Sequence, residues 1–235
     1  MACKKVISCV AAFALFAFIA MAPCAAWAQN AIFKAQVMKS KEAYRYGLYE
    51  QAAAYGKRAI SVAEETFGAT NPNVASAMNN LAFIYHAQGK YPESEALYKS
   101  AIAIWRLVFR ASHPNIAVAL NNLAELYRVQ NRFDRAEELY KACIQIKEQE
   151  LGSDDVSLLA PLNNLAELYA QKSQYSDAII LSEAALRIAE KSPCPPLAYL
   201  KTIQENLSDW YLKTGAEGLA KDLRAKASAL SSAGN

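Results

Sequence analysis

Asn121-Asn122-Leu123-Ala124-Glu125-Leu126-Tyr127 occurs three times in this chain with small changes. It stands 42 residues earlier as Asn79-Asn80-Leu81-Ala82-Phe83-Ile84-Tyr85, and 42 residues later as Asn163-Asn164-Leu165-Ala166-Glu167-Leu168-Tyr169. One more step reaches a worn copy, Glu205-Asn206-Leu207-Ser208-Asp209-Trp210-Tyr211. A constant period of this size marks a stacked repeat array. Each copy is one small unit that cannot bury its apolar face alone, and its neighbours complete the core.

The spacing inside each copy is helical. Met78, Leu81, Ala82 and Tyr85 stand at i, i+3, i+4 and i+7, one stripe of a helix. Gln88-Gly89-Lys90 ends it, with Gly89 suited to the left-handed stop position. Tyr91 then enters a second helix carrying Ala96, Leu97, Tyr98, Ala101, Ile102 and Trp105. The next copy pairs Leu120, Leu123, Ala124 and Tyr127 with Phe133, Ala136, Leu139, Tyr140, Cys143 and Ile144 across a turn at Asn131-Arg132. The third pairs Leu162, Leu165, Ala166 and Tyr169 with Tyr175, Ala178, Leu181 and Ala185. Asn71-Pro72 and His113-Pro114 place proline early in a helix, where its missing N–H does no harm. Pro193-Cys194-Pro195-Pro196 reads as a loop between copies, because the register runs on through it.

Leu81, Ala82, Tyr85, Tyr91, Tyr98 and Ala101 match the signature residues of the tetratricopeptide repeat, which this pattern resembles. The 42-residue spacing, Leu97-Tyr98-Lys99-Ser100-Ala101-Ile102 and His113-Pro114-Asn115 are similar to the longer variety found in kinesin light chains. The resemblance implies an all-α solenoid of five helix–turn–helix repeats in a right-handed superhelix. The expected repeats are approximately 31–68, 73–110, 115–152, 157–192 and 197–231 within an array spanning 29–235. The first copy is degenerate, with Lys39 and Ser40 at the Leu-Ala positions. The last helix is rich in Lys221, Asp222, Arg224 and Lys226, as a polar terminal cap should be.

Residues 1–28 read as a secretory signal peptide. Lys4 and Lys5 precede an uncharged apolar run from Val6 to Met21, Pro23 breaks it, and Ala26-Trp27-Ala28 supplies the small residues of a cleavage site. The run of 16 residues is shorter than the roughly 20 that span a bilayer, so cleavage after Ala28 is preferred to an uncleaved anchor. Pro23 fits poorly with lipid attachment at Cys24. The expectation is a periplasmic or secreted protein. Cleavage removes two lysines and no acid, taking the formal charge from +3 to +1. That balance offers nothing to nucleic acid or to an anionic membrane. Cys143 and Cys194 remain, too far apart in the register for a disulfide. Cys143 reads as a small buried hydrophobe, Cys194 as a free or intermolecularly linked thiol.

At about 100° per residue, Asn79, Asn80, Phe83 and His86 fall opposite the packed stripe. In the resembled family this face lines the concave groove. The candidate groove residues are therefore Asn79, Asn80, Phe83, His86, Asn121, Asn122, Glu125, Arg128, Asn163, Asn164, Glu167, Glu205, Asn206 and Asp209. Amides donate and accept at once, so Asn ladders can hold the backbone of an extended peptide. The alternative is that one Asn of each pair bonds a neighbouring helix end or loop. Glu125, Glu167, Asp209 and Glu205 make the expected groove acidic apart from Arg128, favouring neutral or basic peptides over carboxylate-terminated ones.

No spacing of His, Cys, Asp or Glu suggests a metal site, and no Gly-rich loop suggests phosphate binding. The function expected is a non-enzymatic scaffold, without cofactor, that holds a protein or peptide partner in its groove. The alternative is a structural subunit of an envelope assembly that uses its convex face or ends.

Overall fold

The computed structural model describes residues 27–193 and 196–233, with side chains to 230. Among these residues the chain forms ten α-helices and no strand. Helix α1 covers 27–45. It is followed by α2 (Tyr49–Phe67), α3 (Pro72–Ala87), α4 (Tyr91–Val108), α5 (Pro114–Val129) and α6 (Phe133–Leu151). A 3-10 turn at Val156–Leu158 leads into α7 (Leu159–Gln171), then α8 (Tyr175–Lys191), α9 (Leu197–Lys213) and α10 (Glu217–Ala233). Most of the segment read as a signal peptide lies outside the described residues, as do Cys194 and Pro195. The contacts divide the chain into one unit ending at Val108, with α1–α4, and another beginning at Phe109, with α5–α10.

The 42-residue period is written into the backbone. Each hairpin turns on a left-handed residue at Gly47, Gly89, Asn131, Ser173 or Gly215, with φ of 72°, 73°, 59°, 61° and 84°. The N–H of the next residue reaches back five positions, as in Lys90 to Tyr85 O (2.9 Å), Arg132 to Tyr127 O (2.9 Å) and Gln174 to Tyr169 O (2.8 Å). This bond satisfies a helix-end carbonyl that would otherwise be orphaned. The first helices α3 and α5, and the 3-10 turn that leads into α7, start on equivalent caps. Asn71 Oδ1, His113 Nδ1 and Asp155 Oδ1 accept from the N–H two residues on, at 2.9, 3.2 and 2.8 Å.

The two helices of a hairpin cross at a pair of small residues. Where one is serine, its hydroxyl donates to the carbonyl of the residue opposite. Ser40 reaches Ala52 O (2.8 Å), Ser94 reaches Ala82 O (2.7 Å) and Ser208 reaches Ala220 O (2.9 Å). In the two middle hairpins both positions are alanine, Ala124 with Ala136 and Ala166 with Ala178, all fully buried. The degenerate first copy thus closes the same way, with Ser40 buried and Lys39 lying over the Tyr55 ring.

Apolar side chains fill the gaps between hairpins. In the first unit Ala43, Ala52, Ala53, Leu81, Ile84 and Tyr85 form one cluster, and Phe33, Ala59, Val62, Ala63, Val74 and Ala77 another. In the second, Leu158, Leu159, Leu162, Ile188, Leu200, Ile203 and Leu207 pack together, and Trp210 sits on Ala166 and Ala178. Each such large side chain contributes about 1.5–3 kcal/mol when fully buried. One expectation fails. Ala96 is exposed, because the buried stripe of α4 is Ser94, Tyr98, Ala101, Ile102 and Trp105, and Ala96 lies two residues, about 200°, from its start.

The end of the second unit is polar. A cleft of about 440 Å³ on α9 and α10 is lined by Glu217, Lys221, Arg224 and Ser228. One period earlier these positions are Tyr175, Ile179, Ser182 and Leu186. Glu217, Lys221 and Ser228 thus stand where an internal hairpin carries Tyr175, Ile179 and Leu186, beside Leu212, Ala220 and Ala225, which keep part of the lining apolar.

Candidate functional site

In the second unit α5, α7 and α9 carry the candidate residues. The paired asparagines take different roles, set by an offset of one residue between neighbouring helices. Asn164 Nδ2 donates to Asn121 Oδ1, and Asn206 Nδ2 donates to Asn163 Oδ1, both at 3.2 Å across 43 residues. Asn163 also donates to Glu167 Oε1 at 2.7 Å and is 6% exposed. Its amide is spent inside the protein and is closed to a ligand. Each tie thus joins Asn121 or Asn163 as acceptor to Asn164 or Asn206 as donor; Asn163 is buried, while Asn121, Asn122, Asn164 and Asn206 remain part-exposed at the surface.

The acids are largely neutralised. Arg128 Nε and Nη2 grip Glu125 at 2.7 and 2.6 Å, a bidentate pair one helical turn apart. The buried Tyr140 hydroxyl donates to Glu125 Oε2 at 2.8 Å. The Glu125 hydrogen bonds raise the Arg128 pKa, while burial and then the Glu125 charge raise that of Tyr140. Asp209 pairs with Arg224 at 2.7 Å, and Glu205 stands 3.9 Å from Lys201. Of the four acids expected on this face, Glu125, Asp209 and Glu205 each have a basic neighbour, and Glu167 accepts from Asn163.

In the first unit the same face is aromatic. Phe83 is 43% exposed, and its ring lies 5.1 Å from that of Tyr44, which in turn lies 5.4 Å from Tyr49. His86 lies 6.0 Å from the Tyr91 ring. Asn80 is part-exposed, whereas Asn79 Oδ1 is buried and takes no hydrogen bond. Tyr44 is a site residue beyond those expected, and the repeat register points to it, since it stands 42 residues before His86.

Outside the predicted face, Glu137 of α6 accepts from Lys141 (2.8 Å), Tyr169 (3.0 Å) and Lys172 (2.9 Å), linking α6 to α7. Burial alone would raise its pKa, but these bonds outweigh burial and lower it to about 2. Cys143 is fully buried, and burial raises its pKa to about 12, as suits a small core residue. Among the described residues no three His, Cys, Asp or Glu gather to hold a metal.

Antiparallel helix pairs with small residues at the crossing, recurring every 42 residues, define a helical-hairpin repeat protein. The tetratricopeptide repeat family model matches residues 43–106, 73–149 and 115–191, and the chain belongs to that family.

Solved structures share the fold. A kinesin light chain with nearly identical TPR-like repeats from Podosopora anserina is 23% identical, with 84% of this chain and 93% of that one covered at a TM-score of 0.71. BtubC from P. vanneervenii is 21% identical, with 83% and 77% covered and a TM-score of 0.74. Aspartyl phosphate phosphatase F from Bacillus subtilis is 16% identical, with 89% and 53% covered and a TM-score of 0.77. None of the curated proteins compared matches the chain. Tetratricopeptide repeats generally mediate contacts between proteins, typically as non-enzymatic scaffolds.

Proposed function

We propose that this protein is a secreted or periplasmic scaffold that holds a segment of a partner protein on the faces of its first helices. One observation carries the reading. In the second unit α5, α7 and α9 are stitched edge to edge by the Asn164–Asn121 and Asn206–Asn163 bonds. Their part-exposed amides, with Glu167, Glu205 and Asp209, then form a continuous polar strip built to one register. Asn80, Phe83 and His86 are the corresponding residues of the first unit. The strip is rich in groups that donate and accept, which suits an extended backbone.

The N-terminal pattern supports export, and no helix among the described residues is long and apolar enough to cross a membrane. Fractionation of the host, with N-terminal sequencing of the protein recovered, should find it outside the cytoplasm and beginning at Gln29. An intact N-terminus on a cytoplasmic protein would end that part of the reading.

The scaffold itself is tested by affinity capture from the host's envelope fraction. Glu167→Arg with Ala170→Arg blocks the α7 face, and Ile180→Arg alters an outer residue that is 64% exposed. The first variant should lose the partner and the second should keep it. The reverse outcome would favour an assembly subunit that uses its outer surface.

A further inference from the structure

Tyr98 and Tyr140 are equivalent, 42 residues apart and both fully buried. Tyr140 donates to Glu125, but one period earlier the residue at the place of Glu125 is Phe83. The Tyr98 hydroxyl is buried and meets no acceptor in hydrogen-bonding geometry; its polar neighbour Ser94 gives its own proton to Ala82 O. A buried hydroxyl without an acceptor costs free energy, and native structures rarely keep one without a reason.

The surroundings of Phe83 are cationic. Helix α3 carries no acid, and the one acid of α1 within 27–45 is Glu42. Lys34, Met38, Lys41 and Arg45 share one stripe of α1, within an arc of about 60°. One period later the same stripe holds Ser76, Asn80, Phe83 and Ala87, so the cations belong to the face that carries Phe83. Lys34, Lys41 and Arg45 are exposed and make no ion pair among the described residues. Glu50, the nearest acid of α2 in sequence, is taken by Lys90 at 3.1 Å. The Tyr44–Phe83 ring contact joins the two helices.

We propose that the α1–α3 face of the first unit binds an acidic segment of a partner protein, one of whose side-chain carboxylates takes the place that Glu125 fills in the second unit. The Tyr98 hydroxyl donates to it once the half-exposed Phe83 ring swings outward. Lys41 and Arg45 supply the charge that Arg128 supplies to Glu125, and Tyr44 and Phe83 cover the peptide's apolar groups. This inference rests on the first-helix face being the binding surface.

The test is fluorescence anisotropy of the protein with a short labelled Glu-Leu-Ser repeat peptide and with its Gln-Leu-Ser analogue. The Glu peptide should bind at least about tenfold more tightly, and added salt should erode the difference. Tyr98→Phe should weaken the Glu peptide by about three- to tenfold and leave the Gln analogue unchanged. Phe83→Glu supplies the acceptor from within and should abolish Glu-peptide binding, a check independent of Tyr98→Phe. Equal affinity for the two peptides, or no binding of either, overturns the inference while the capture experiment decides the broader scaffold reading separately. Binding to phosphatidylglycerol vesicles that persists in Phe83→Glu also overturns it, by assigning the cations to a lipid surface.

Discussion

Replacing Asn163 by alanine separates a stitching asparagine from a ligand-holding one. The side chain makes two hydrogen bonds, to Glu167 at 2.7 Å and from Asn206 at 3.2 Å. A bond to a charged acceptor is worth about 1.5 kcal/mol net, and a long neutral one about 0.5. Glu167 and Asn206 are part-exposed, so water meets them after the substitution and no full burial penalty is added. The expected loss is about 2 kcal/mol, or roughly thirtyfold in the folding equilibrium. Urea unfolding should be followed by circular dichroism and by tryptophan fluorescence, with Trp105 reporting on the first unit and Trp210 of α9, packed on Ala166 and Ala178, on the second. Two probes are needed because stacked repeats need not unfold in one step. Asn80→Ala is the control, since Asn80 is part-exposed and outside the bonded pairs. It should stay within about 0.5 kcal/mol of the parent. An Asn163→Ala protein as stable as the parent, or an Asn80→Ala protein that is the weaker of the two, would refute the assignment.

Tyr140→Phe should cost about 1 kcal/mol in urea, because Glu125 loses a donor, whereas Tyr98→Phe should be neutral or slightly stabilising, because its hydroxyl has no acceptor. The depressed pKa of Glu137 makes its stabilisation fully present above its ordinary value of 4.5 and lost as pH falls toward about 2. Lys172→Met should therefore be less stable than the parent at neutral pH, by about 1 kcal/mol, with the gap closing by pH 2 in a series of urea titrations. Ser173 holds φ of 61°, so Ser173→Gly should raise stability by about 0.5 kcal/mol in the same assay, whereas Gly89→Ala should lower it by about 1.

The helices were legible because two signals coincide. Apolar spacing marks each helix, and the 42-residue shift confirms it four times over. Gly89 announced its own stop, and Asn131 fills the same left-handed place by the same hydrogen bond. What the sequence could not separate was Asn79 from Asn80, or Asn163 from Asn164. The two stand about 100° apart on one helix, and the choice between packing and solvent depends on a one-residue offset between neighbouring hairpins. Only the assembled register shows that offset. The Glu125–Arg128 pair is readable from i, i+3 spacing alone, and it neutralises one of the four expected acids. The Asp209–Arg224 pair was not, since it joins two helices through exposed side chains.

The 43-residue bonds have a consequence for descent. Asn164 and Asn206 each reach one period and one residue back, so removing or duplicating a 42-residue stretch between them rejoins donor to acceptor. A lineage carrying this gene can lengthen or shorten its protein by whole hairpins in a single recombination event, whereas a slip of even one codon would unpair the seam.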